Sequence, residues 1–189
     1  MSFSAHLSAF LSDPKGVAAL TPTSSFTLKR IVSKIDPARA GLIVEYGPGS
    51  GVLTERLLER LRPDGRVIAI ELNEGLATRL KKVMDDPRLT IVHGSAEEVQ
   101  EHLDRLGLDS ADYILSGMPF FWLPTEVARR IVAGTHDALV PGGKFIAYQM
   151  FFQGRRYLRD HLEESFSKVT TEFDLRNLPP YRIYEAVKQ

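Results

Sequence analysis

Leu42-Ile-Val-Glu-Tyr-Gly-Pro-Gly-Ser-Gly-Val-Leu53 is the run that decides how the rest of the chain is read. Leu42, Ile43 and Val44 form a short apolar block, as expected of a strand buried on both faces of a parallel sheet. Gly47, Gly49 and Gly51 then make a turn, and a helical pattern resumes at Val52, Leu53, Leu57, Leu58 and Leu61. Strand, glycine turn and helix in succession bring backbone close to a ligand at the strand's carboxyl end. A dinucleotide fingerprint needs its third glycine where Val52 stands, so a dehydrogenase fits poorly. Glu45, just ahead of the glycines, suits a cationic ligand, because a carboxylate attracts an ammonium or sulfonium and repels a pyrophosphate. The plain alternative is a tight turn that binds nothing.

Outward from this run the chain alternates. Val67 to Ile70 reads as a second buried strand ending at Glu71, Leu89 to Val92 as a third, Tyr113 to Leu115 as a fourth and Phe145 to Tyr148 as a fifth. Helical spacing fills each interval, and the helix from Thr125 runs up to Leu139-Val-Pro-Gly-Gly143. Val169 to Leu175 and Tyr181 to Val187 are strands separated only by Arg176-Asn-Leu-Pro-Pro180, so they pair antiparallel. The predicted fold is α/β: one domain over residues 1–189, a doubly wound, mostly parallel seven-stranded sheet closed by an antiparallel hairpin. Before the first strand, Thr21 to Ser25 offers helix caps ahead of Leu28, Ile31, Val32 and Ile35. Earlier still, Phe3, Leu7, Phe10 and Leu11 share one helical face, which predicts a helix over 2–12 that either caps the sheet or lies in a membrane interface.

Composition narrows the function. Lys plus Arg and Asp plus Glu are both 24, so no global field recruits a polyanion. The absence of cysteine excludes disulfides, thiolate metal sites and a cysteine nucleophile. The histidines show no i, i+4 pairing, so no metal site is expected. With no secretory signal and no apolar run near the roughly 20 residues of a spanning helix, the cytosol is the expected compartment. Glu71 at the tip of the second strand sits where nucleotide-binding sheets hold ribose hydroxyls, the alternative being a cap for the helix near Asn73.

Glu45-Tyr-Gly-Pro-Gly-Ser-Gly51, Glu71 and the Val140-Pro-Gly-Gly143 turn resemble the S-adenosylmethionine-binding core of class I methyltransferases. Leu20-Thr-Pro-Thr-Ser-Ser25, Leu115-Ser-Gly-Met-Pro119 and Arg176-Asn-Leu-Pro-Pro-Tyr181 further resemble the small bacterial phospholipid N-methyltransferases, which methylate phosphatidylethanolamine. The resemblance runs from about Asp13 to Val187. It implies S-adenosyl-L-methionine as cofactor, contacted by Ser24, Glu45, Tyr46, Gly47, Gly49, Gly51, Glu71, Leu72, Ser95, Ala96 and Ser116. Ser95 departs from many relatives, which carry an aspartate there for the adenine amine. Ser116, Gly117, Met118, Pro119 and Phe120 would line the transferring methyl, with Tyr181 in the catalytic set. The resemblance also implies a monomer held peripherally on the inner membrane leaflet, its N-terminal helix serving in membrane association.

For the acceptor, Phe121 and Trp122 supply an apolar wall that also attracts methylated ammonium, unless they are ordinary core. Tyr148 and Tyr181 are candidate hydroxyls, and Asn177 joins the substrate set. Arg155, Arg156 and Arg159 are placed to meet a lipid phosphate or an anionic bilayer, or else form a solvated helix face. Glu97-Glu98 and Glu163-Glu164 read as solvated charge without chemistry. Rival readings are a methyltransferase of another amine, lipid or soluble, a non-catalytic cofactor-binding module, and an RNA adenine N6-methyltransferase. The last carries an acceptor side chain two residues before the strand-four proline, where this chain has Gly117; nucleic acid is therefore not the expected partner. A helical RNA-binding domain after the last strand is not expected either.

Overall fold

A computed structural model describes residues 23–152 and 156–189 of the chain. The expected helix over 2–12 and Arg155 lie outside these residues. Strand β1 is Leu42–Tyr46, buried along its whole length. It pairs in parallel with β2 (Arg66–Glu71) on one side and β4 (Ala111–Ser116) on the other. β3 (Leu89–His93) extends the sheet beyond β2, and β5 (Leu139–Met150) extends it beyond β4, both parallel. β6 (Lys168–Asp174) and β7 (Tyr181–Val187) close it antiparallel, giving the order β3-β2-β1-β4-β5-β7-β6.

Alternation along β1 assigns the two faces. Leu42, Val44 and Tyr46 join a core that includes Val99, Ile131, Val132 and Leu158. These belong to helices α4 (Val99–Arg105), α5 (Thr125–Asp137) and α6 (Tyr157–Ser165). Ile43 points the other way, into a core with Leu28, Ile31, Leu53 and Leu57 from α1 (Ser25–Val32) and α2 (Val52–Arg60). Helix α3 (Glu74–Val83) covers the end of the sheet with Ala77 and Leu80 on Ala69 and Ile91. Burial on both faces explains the continuous apolar strands of the sequence.

Local chemistry sets the helix starts. Ser24 caps α1 by accepting from the Thr27 amide at 3.2 Å, and Asn73 caps α3 by accepting from Leu76 at 3.0 Å. The cap of α3 is therefore Asn73 and not Glu71. One boundary differs from the sequence pattern: α5 ends at Asp137, and β5 already begins at Leu139. Proline and glycine at 141–143 suggest a turn, but they are carried inside the strand by a register shift between Ala111 and Tyr113. The Gly142 amide stays bonded to the Lys188 carbonyl at 2.8 Å.

Candidate active site

At the carboxyl ends of β1, β2 and β4 lies a cavity of about 230 Å3. Its floor is the glycine turn (Gly47, Gly49), one wall is Glu71, Leu72, Ser95 and Ala96, and the other is Gly117, Met118 and Pro119. Gly47, Gly49 and Gly51 adopt left-handed backbone with φ of 65°, 55° and 85°, a region open to glycine without strain. Gly51 does not line the cavity. A Cβ there would lie 2.8 Å from Leu80 and 2.9 Å from Met84 Sδ, so this glycine lets α2 pack on α3.

Two buried carboxylates flank the turn. Glu71 accepts from the Gly49 amide at 3.1 Å through one oxygen and from the Asn73 amide at 2.9 Å through the other. A carboxylate has about four lone-pair sites, so each oxygen keeps capacity for another donor from the cavity. Glu45 lies behind the turn, where Thr54 Oγ1 donates to it at 2.6 Å. Burial pushes Glu45 up to about 7; the Thr54 hydrogen bond opposes this and the neighbouring Glu71 charge adds to it. Tyr46 turns its ring into the core, and its hydroxyl meets Thr135 at 3.1 Å.

Ser95 caps the 3-10 turn Ala96–Glu98 by accepting from the Glu97 amide at 3.2 Å, which leaves its O–H to donate. Buried His102 braces this loop from behind, its Nε2 3.1 Å from the Ser95 carbonyl. A Cβ on Gly94 would fall 2.5 Å from the same imidazole.

On the opposite wall, the Ser116 hydroxyl accepts from the Met118 amide at 3.2 Å and is fully buried. Phe120 is also fully buried, edge-on to Phe145 with ring centroids 6.3 Å apart. Its ring is thus core. Phe121 and Trp122 stand on the surface, edge-to-face at 5.3 Å, and neither lines the cavity. Gly117 is the informative position: a Cβ there would lie 2.6 Å from the Tyr148 hydroxyl and 2.8 Å from its Cζ. The Tyr148 phenol, from β5, therefore occupies the space a side chain at Gly117 would need. Its ring centroid is 5.9 Å from that of Tyr181 on β7.

Ser24 and Asn177 are brought together, but as a fastening. The Ser24 amide donates to Asn177 Oδ1 at 2.6 Å, and Asn177 Nδ2 donates to the Pro179 carbonyl at 3.0 Å. This ties the start of α1 to the β6–β7 turn. Arg156 is exposed and paired with Asp160 at 3.3 Å. Sequence reasoning missed Thr54, which looks like any helix residue, and Leu76, Glu97, Leu123, Val127 and Ile131, which also line the cavity. Of these Glu97, read as solvated, is held by Arg130 at 2.7 Å.

Comparison with known proteins agrees with this arrangement. An ornithine lipid N-methyltransferase of Singulisphaera acidiphila is 30% identical over 186 residues, covering 94% of this chain and 92% of that protein. The chain belongs to the class I S-adenosylmethionine-dependent methyltransferases. The family model for ribosomal RNA adenine dimethylase matches residues 22–103. A ribosomal RNA small subunit methyltransferase A of Bordetella pertussis is 38% identical, covering 87% of this chain but 63% of that protein. The fold is that of an O-methyltransferase from Bacillus cereus in complex with SAH, with a TM-score of 0.74, 15% identity and coverage of 100% and 92%.

In this methyltransferase the residues fit the cofactor. The cavity is roofed by apolar Leu76, Leu123 and Val127, as an adenine ring requires. Glu71, lining the cavity with capacity to accept further hydrogen bonds, would hold the ribose hydroxyls. Gly47 lets the backbone approach closely, because a Cβ there would meet Met118 at 3.2 Å. Glu45, behind the turn and outside the cavity lining, would favour a cationic methionine end when ionised.

Proposed function

We propose that this methyltransferase acts on the head-group amine of a membrane aminolipid, such as phosphatidylethanolamine or an ornithine-type lipid. The observation that carries the reading is the pairing of Gly117 with Tyr148. Enzymes that resemble this chain and act on adenine carry an acceptor side chain at the Gly117 position, and here a Cβ would first have to displace the Tyr148 phenol. The family model of the ribosomal RNA enzymes covers the cofactor-binding half, which amine and RNA enzymes share. The lipid enzyme of Singulisphaera matches over nearly the whole of both chains.

When bound, S-adenosylmethionine supplies an already activated methyl group and a neutral thioether leaving group. The protein's own work is alignment, worth up to about 7–11 kcal/mol where geometry is good. Met118 and Pro119 form the wall of the methyl end, and the Tyr148 hydroxyl stands beside Gly117. From there the hydroxyl can meet an incoming amine. Burial, the Glu45 charge and Tyr181 hold the Tyr148 phenol above its ordinary range, so it stays protonated and orients the amine without removing its proton.

The rim around the site is apolar. Phe26, Phe121, Trp122, Phe151, Phe152, Leu175 and Leu178 are all exposed. They sit on α1, on the loops after β4 and β5, and on the β6–β7 turn, which meet at one end of the sheet. Seven large apolar side chains at one edge suit a lipid surface better than water. We therefore place the enzyme peripherally on a membrane, rim downward. Among the described residues no helix is long and apolar enough to cross one.

The test is methyl transfer to vesicles of phosphatidylethanolamine, of ornithine lipid and of phosphatidylcholine, with a ribosomal RNA transcript in parallel. Transfer to one of the primary-amine lipids supports the reading. Transfer to the transcript alone would replace it.

A further inference from the structure

On the far face of the sheet from Tyr148 lies a groove of about 690 Å3 between α6 and the β6–β7 hairpin. Arg182 lines it and is 6% exposed. Arg182 Nη1 is buried with no hydrogen-bond partner, and no carboxylate pairs with the guanidinium among the described residues. The cation lies over the Phe173 ring at 5.3 Å. A buried guanidinium N–H with no acceptor is costly, so Nη1 offers a donor to an anion entering the groove.

The neighbours have the same polarity. Tyr184 Oη and Thr171 Oγ1 line the groove, both buried and without partners. Arg156 and Arg159 stand at its mouth, held by Asp160 at 3.3 Å and Glu163 at 2.7 Å. Glu163 is the acidic residue lining the groove, and Arg159 neutralises it. Hydroxyl and guanidinium donors converging on a space whose one carboxylate is paired with Arg159 suit a phosphoryl oxyanion, which takes several hydrogen bonds at once.

This is neither the cofactor cavity nor the amine site. Alternation along β7 turns Arg182 away from Ile183, and Ile183 is the residue opposite Tyr148. Yet Arg182 pairs with Gln149, close to the strand ends that carry the apolar rim.

We propose that the Arg182 groove is an accessory binding site for a phosphoryl group, separate from the acceptor amine. The group is a phospholipid head group at the membrane or a soluble phosphate.

Calorimetric titration of the full chain with inorganic phosphate tests this. One saturable site is expected, about tenfold or more weaker in Arg182→Gln, with S-adenosylmethionine affinity unchanged. Flotation with phosphatidylglycerol vesicles distinguishes the sources: dependence on Arg182 assigns a head group, and equal flotation of both proteins assigns a soluble phosphate. If Arg182→Gln fails to bind S-adenosylmethionine and has lost its fold, Tyr184→Phe decides, with several-fold weaker phosphate binding expected. Absence of saturable phosphate binding in the unaltered chain, or equal binding in the variants, overturns the proposal. Failure of the aminolipid reading would show in the methyl-transfer assay and leave the phosphate titration legible.

Discussion

The Tyr148 hydroxyl lies 2.6 Å from the point where a Cβ on Gly117 would stand, so the two residues share one volume. A side chain at Gly117 requires the phenol to move. Gly117→Ala must displace the phenol, and the expected result is a fall in kcat/KM of about tenfold or more. Tyr148→Phe keeps the ring and removes only the hydroxyl, so it should reduce kcat while leaving cofactor affinity intact. Steady-state kinetics on the two single variants and the Gly117→Ala/Tyr148→Ala pair check this. Thermal melts of Gly117→Ala, Tyr148→Ala and their pair should show clear non-additivity in stability, because removing the ring relieves the clash.

Glu71 joins the two halves of the cofactor site by accepting from Gly49 and Asn73. Glu71→Ala should weaken S-adenosylmethionine binding by about 1–3 kcal/mol, as loss of a charged acceptor does. Calorimetry measures it. An unchanged affinity would remove Glu71 from the site.

Glu45 gives the fold a pH dependence. Its folded value, about 7, stands above the unfolded 4.5, so the native state binds the proton more tightly. Its contribution is therefore fully present below about 4.5 and is lost as pH rises through about 7, on the order of 3 kcal/mol in all. Glu45→Gln should flatten the stability profile between these limits and raise Tm at pH 8. Thermal melts without cofactor across that window provide the check.

Asn177 holds α1 to the β6–β7 turn through the Ser24 amide. Asn177→Ala leaves that half-buried amide without its acceptor and should cost about 1 kcal/mol in chemical denaturation. Hydrogen exchange at the start of α1 should rise with it.

The sheet was legible because its strands are buried on both faces and announce themselves as apolar blocks between helical patterns. Leu42–Val44 and Val67–Ile70 needed no tertiary information. β5 was read short, since Pro141 and Gly142 signal a turn locally and only the pairing partners reveal a bulge. Of the residues read for the cofactor, Gly47, Gly49, Glu71, Leu72, Ser95 and Ala96 line the cavity, whereas Ser24, Glu45, Tyr46, Gly51 and Ser116 do not. The acceptor half was less legible. Phe120, Phe121 and Trp122 are consecutive and alike in sequence, yet one is core and two are rim, a distinction made by the turn after Pro119. Ser24 and Asn177 are far apart in the chain, and no local pattern states that one fastens the other. Arg182 reads as an ordinary strand residue until its lack of a partner is seen.

The central claim is that a cofactor-binding sheet delivers methyl groups to a lipid amine and not to a nucleic acid. The most direct measurement mixes total lipid extract and total ribosomal RNA in one vessel with methyl-labelled S-adenosylmethionine. The label is then followed into each fraction, and the lipids are resolved by head group. The account predicts label in an aminolipid, on nitrogen, with the RNA fraction blank. Label in the RNA fraction alone, or none in either while the cofactor binds, would contradict it.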